Sequence, residues 1–154
     1  MANTYSQAYF HLVFAVKNKQ HFIAKIWNND LEKYITTVIQ NNGHKLLAIG
    51  SMPDHIHIFI SYNLNERIPD LVSEIKTSST KWINRIKTSP HKFQWQVGYG
   101  AFTYGQSQID RVVKYLLNQE EHHSSMSFKS EYISLLQKFK IEFKDEYVFE
   151  FFND

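Results

Sequence analysis

Apolar residues recur along this chain in two rhythms, and the changes of rhythm divide it into elements. Residues 8–16, AYFHLVFAV, are rich in aromatic and branched side chains and predict a first strand. Leu31, Tyr34, Ile35, Val38 and Ile39 then return at helical spacing, with Gly43 where a helix would end. HKLLAIGS (44–51) and HIHIFISY (55–62) predict two strands joined by the tight turn Met52-Pro53-Asp54. Pro69 suits the first turn of a second helix with the stripe Leu71, Val72, Ile75, Trp82, Ile83 and Ile86, ending before Pro90. FQWQV (93–97) and GAFTYG (100–105) predict short strands. A third helix is expected from near Ser107, with Asp110 completing a capping-box-like start, to about His123. SFKSEYISLLQKF (127–139) predicts a fourth, and the tail at 141–152 fits either a strand or irregular structure.

The order is β-α-β-β-α-β followed by additional helices, which predicts an α+β fold of the ferredoxin-like, RRM-like kind with an antiparallel sheet. The first and third strands are normally central in it. The strand at 55–62 should therefore lie mid-sheet, with helices beneath one face and the other face open.

Composition narrows the possibilities. A chain of 154 residues can bury a core as one domain, spanning 1–154. The absence of cysteine excludes a disulfide framework, a thiolate zinc site and a cysteine nucleophile. No run is apolar enough to span a membrane, and the start lacks signal-peptide character, so a cytoplasmic protein is expected. The net charge of +2 is too small to indicate nucleic acid from bulk electrostatics.

Within HIHIFISY, alternation points His55, His57, Phe59 and Ser61 one way and Ile56, Ile58, Ile60 and Tyr62 the other. Imidazoles two residues apart on a strand stand roughly 6 to 7 Å apart, within reach of one metal ion. An isolated His-x-His more often only tolerates a half-exposed sheet face. On the third helix, Gln108, Arg111, Tyr115, Gln119 and His122 fall along one flank of the apolar stripe. Tyr115 and Gln119 lie one above the other, a phenol beside an amide carbonyl. By itself such a flank is more often ordinary polar decoration, and His122 reads as a favourable charge at a helix end.

Taken together, YFHLVFAVKNK at the start, MPDHIHIFI, FQWQVGYGAFTYGQSQID and VVKYLLNQEEHH resemble the single-tyrosine HUH transposases of bacterial and archaeal insertion sequences. The repeat-associated tyrosine transposases are their relatives. The resemblance runs over nearly the whole chain. It implies that His55 and His57 are metal ligands, Tyr115 the nucleophile and Gln119 the third ligand. It further implies Mg2+ or Mn2+ as the cofactor, single-stranded DNA with hairpin ends as the substrate, and a 5′-phosphotyrosine intermediate. A homodimer whose subunits share active sites also follows from it, with the catalytic tyrosine on the additional C-terminal helices.

Phosphate contacts are expected from Lys76, Lys81, Arg85 and Lys87 on the second helix, interleaved with Thr77, Ser78, Ser79 and Thr80, and from Lys17, Lys19 and Arg111. Three rival readings remain open. One is a domesticated HUH nuclease acting on repeats. Another is a non-catalytic RRM-like nucleic-acid-binding module, although the third strand lacks the aromatics such modules use for stacking. The last is a metal-dependent phosphoesterase that activates water and would survive loss of Tyr115.

Overall fold

The computed structural model describes residues 3–86, 90–119, 121 and 126–152. Its elements are β1 (Tyr9–Ala15), α1 (Lys25–Asn41), β2 (Lys45–Met52), β3 (His55–Ser61), α2 (Ile68–Ile86), β4 (Gly100–Thr103), α3 (Ile109–Leu117) and α4 (Phe128–Lys138). The four strands form one antiparallel sheet in the order β2-β3-β1-β4. β3 is therefore central, as the ferredoxin-like order requires.

Alternation along β1 and β3 gives the sheet two different faces. Leu12, Phe14, Ile56, Ile58 and Ile60 point to one, where they pack with Leu31, Ile35 and Ile39 of α1 and Leu71, Ile75 and Ile83 of α2 in the main core. Burying each such side chain contributes about 1.5–3 kcal/mol.

The opposite face carries His11, His55, His57 and Phe59, and it is covered, not open as expected. α3 lies over β2 and β3 through a small cluster of Ala48, Phe59, Val112 and Leu116. α4 closes the other half with Phe128 and Tyr132. Two glycines let these helices approach. A Cβ at Gly50 would stand 2.5 Å from the Leu116 carbonyl oxygen, and one at Gly100 would stand 2.5 Å from Tyr132 Oη. The apolar stripes of α3 and α4 need burial, and this face is where they find it.

Two further expectations change. Residues 93–97 make only an isolated bridge, Val16 to Trp95, and no strand. That segment is fixed instead by its side chains, with Trp95 Nε1 donating to Ser79 Oγ at 3.0 Å and the Trp95 ring edge-on to Phe14. α3 follows directly on a 3-10 turn, Gln106–Gln108, in which Gln108 Oε1 accepts from the Gly105 N–H at 3.1 Å; its own N-cap is Gln108, without a side-chain cap hydrogen bond, rather than the Ser107 and Asp110 pair. Regular α3 is described to Leu117; His122, His123 and Lys87 lie outside the described residues.

The tail is irregular apart from a single turn at Asp145–Tyr147. It is nonetheless tied down: Gln96 Nε2 donates to the Glu150 carbonyl at 2.8 Å, and the Glu150 N–H donates back to Gln96 Oε1 at 2.8 Å. Phe149 and Phe151 pack onto Phe128.

Candidate active site

The site begins on β3. His55 and His57 are fully buried, and each ring is held from behind. His55 Nδ1 donates to Asp54 Oδ1 at 2.7 Å, so in the neutral ring Nε2 carries the lone pair. His57 Nδ1 meets His11 Nε2 at 2.7 Å, across from β1. Phe128 lies flat on the His55 ring, with centroids 3.8 Å apart. Burial lowers the pKa of His55, although Asp54 opposes the shift. Burial and the neighbouring His57 hold His11 well below its ordinary value. Neutral imidazole is the form that binds a metal ion, and partners behind the ring fix which nitrogen is offered.

Glu131 of α4 completes the cluster. Its Oε1 lies 3.0 Å from His57 Nε2 and 3.6 Å from His55 Nε2, and the carboxylate is buried. His55, His57 and Glu131 offer ligand atoms that all lie within 4.8 Å of one another. That span suits one ion at the usual ligand distances of about 2.0–2.2 Å. The chemistry fits as well. The His55 Nε2 lone pair and the carboxylate face each other, an arrangement that a cation stabilises. The cluster could hold a divalent metal.

Tyr115 enters from α3. Its hydroxyl donates to Glu131 Oε2, and its ring stands edge-on to His57 with centroids 6.1 Å apart. Burial comes first, with the Glu131 charge and hydrogen bond behind it, in pushing the phenol well above its ordinary pKa; a hydrogen bond from Gln119 pulls the other way. Gln119, one turn further along, is buried beside Gly50, and its Nε2 reaches the Tyr115 carbonyl at 3.4 Å. His55, His57, Tyr115 and Gln119 thus gather between the sheet and α3, although 58 to 64 residues separate the two histidines from Tyr115 and Gln119.

The expected DNA-contacting residues divide. Arg111 is exposed one turn before Tyr115 on the same flank of α3. Lys17, Lys19, Lys81 and Arg85 are exposed elsewhere, the last two on α2 beyond the opposite face of the sheet. Lys76 has local partners: its Nζ donates to the carbonyls of Gln96 at 2.8 Å and Gly98 at 2.7 Å and lies over the Phe14 ring. Burial lowers its pKa to about 8.

The residues that sequence reasoning missed are His11, Asp54 and Glu131. A signal for Glu131 existed. It sits between Phe128 and Leu135 on the buried stripe of α4, and a carboxylate in an apolar stripe requires a partner.

No described helix is long and apolar enough to cross a membrane. Over residues 4–119 the chain matches the family model described as Transposase IS200 like. The ISDra2 transposase TnpA of Deinococcus radiodurans is 22% identical over 122 residues, covering 75% of this chain and 86% of that protein. A crystal structure of a Deinococcus radiodurans protein assigned as a transposase superposes with a TM-score of 0.62 at 22% identity, covering 77% of this chain and 95% of the other. A REP-associated tyrosine transposase bound to a REP hairpin superposes at 0.58 with 14% identity, covering 82% and 74%. With the family model spanning both the histidine strand and the tyrosine helix, the chain belongs to the IS200-like transposases.

Proposed function

We propose that this protein cleaves and rejoins single-stranded DNA at the hairpin-bearing ends of an insertion sequence through a covalent 5′-phosphotyrosine on Tyr115. The observation that carries this reading is the convergence of one phenol, two histidines and a carboxylate in a single buried site. In this reading His55, His57 and Gln119 hold Mg2+ or Mn2+, and Glu131 adds a carboxylate oxygen, a donor suited to hard ions. A divalent ion held by these residues would supply charge neutralisation and polarisation at the scissile phosphate.

The remaining steps belong to the chain's own groups. Tyr115 rests as a neutral phenol. As its oxygen attacks phosphorus, the proton passes to Glu131 Oε2, which already accepts its hydrogen bond. The bond from phosphorus to the 3′-oxygen breaks, and that oxygen takes up a proton from solvent to leave a free 3′-hydroxyl. Phenolate is a better leaving group than an alkoxide, so a DNA 3′-hydroxyl can reverse the linkage without a nucleotide cofactor.

The test is incubation with labelled single-stranded hairpin DNA and Mn2+ or Mg2+, followed by denaturing electrophoresis. A protein-DNA adduct is expected from the natural protein and none from Tyr115→Phe. Cleavage without an adduct, persisting in Tyr115→Phe, would favour hydrolysis by activated water. The homodimer is part of the same proposal. Because Tyr115 meets the histidines of its own chain, an equimolar mixture of Tyr115→Phe and His57→Ala is expected to remain inactive. Recovered adduct in that mixture would mean that subunits exchange their tyrosine helices.

A further inference from the structure

A cavity of about 260 Å3 opens beside Tyr115, between α3, α4 and the end of β4. Its walls are apolar and aromatic, formed by Val112, Leu135 and the half-buried ring of Tyr104. Two exposed cations, Arg111 and Lys138, line its open side. Glu131 lies at its inner end, already engaged by Tyr115 and His57. The polar flank of α3 therefore has one more use than the reaction at Tyr115 requires.

Size and chemistry limit what can enter. An apolar cavity of about 150 Å3 accommodates a benzene ring, so this one has room for a heteroaromatic base with part of its sugar. Ring stacking on a tyrosine is worth about 1–3 kcal/mol per base and is available only to unpaired bases. Arginine and lysine at the mouth complement the phosphates on either side of such a base.

We infer that this cavity is a subsite for one unpaired nucleobase of the bound DNA strand, the base next to the phosphate that Tyr115 attacks. Tyr104 stacks on it, Val112 and Leu135 enclose it, and Arg111 and Lys138 hold the flanking phosphates. By fixing that nucleotide, the cavity sets which phosphate lies in line with the phenol. The inference rests on the proposed DNA-cleaving role, but its test requires neither metal nor catalysis.

Methyl groups of Val112 and Leu135 in the full-length protein can be followed by NMR while each deoxynucleoside 5′-monophosphate is added in turn, with 2-deoxyribose 5-phosphate as the base-free probe. At least one nucleotide is expected to shift both residues and to saturate with a Kd of about 1–10 mM. The sugar phosphate should leave them unmoved. Ser134→Trp, an exposed position at the cavity lip, should fill the space and weaken binding at least tenfold. The inference is overturned if no nucleotide moves these methyls, if the sugar phosphate moves them equally, or if Ser134→Trp binds like the natural protein. An adduct on hairpin DNA without nucleotide binding would remove this subsite and leave the proposed function standing. Nucleotide binding without any adduct would do the reverse.

Discussion

The two faces of β3 are built from alternate residues of one strand and solve opposite problems. Ile56, Ile58 and Ile60 enter a mainly apolar core, closed by two long amphipathic helices, in which the buried Ser79 hydroxyl is paired with the Trp95 indole. His55 and His57 enter an equally buried layer in which His11, Asp54 and Glu131 supply partners. Equal burial therefore means different things on the two sides. The first face stores stability, whereas the second spends it on holding lone pairs and one phenol in fixed directions.

Substitutions that strike one face alone test this division. Tyr115→Phe and His57→Ala are expected to lower adduct formation by about a thousandfold or more, as loss of a nucleophile or its activating group does. Both proteins should still melt cooperatively by circular dichroism. Ile58→Ala, one residue from His57, should show the converse: a loss of about 2–5 kcal/mol in urea unfolding, with near-normal adduct formation per folded molecule. If Ile58→Ala abolished activity while folded, the faces would not be separable.

Asp54→Ala removes the acceptor behind His55 without touching the nitrogen that faces Glu131. Mn2+ affinity, measured by calorimetry, should fall about 10-fold to 100-fold. Gly50→Ala strikes the histidine face through its cover: its new methyl would meet the Leu116 carbonyl oxygen, so α3 must move outward and carry Tyr115 with it. About 1–3 kcal/mol of stability should be lost, with a fall in adduct formation that Ile58→Ala does not produce.

The mildest test concerns Lys76, a charge lying against the apolar side through the Phe14 ring. Its pKa falls from 10.5 to about 8 in the folded chain through burial. Between these values the unfolded chain holds more protons than the folded one, so this group makes stability rise with pH across that window. Urea unfolding between pH 8 and 9.5 should show a steeper rise for the natural protein than for Lys76→Met.

The strand motif and the tyrosine helix were legible in the sequence because each is written in a local period, two residues for β3 and 3.6 for α3. What covers the histidine face was not. That depends on Gly50 and Gly100 admitting two helices from the C-terminal half, and a glycine in a strand does not announce what will approach it. His11 was hidden for a similar reason: its alignment with His57 is set by the register of β1 against β3, which alternation leaves undetermined. Glu131 was obscured by distance, since it lies on a helix whose apolar stripe reads as ordinary packing.

The clamp on the tail reaches further than its position at the end of the chain suggests. Glu150 is fastened in both directions to Gln96, and Phe149 and Phe151 rest on Phe128, whose ring is the floor under His55. Residues 149–151 and the buried histidine thus belong to one packed unit. Fraying of this segment would be felt as slackness beneath the histidine strand, and hydrogen exchange at the Glu150 amide would report how firmly His55 is seated.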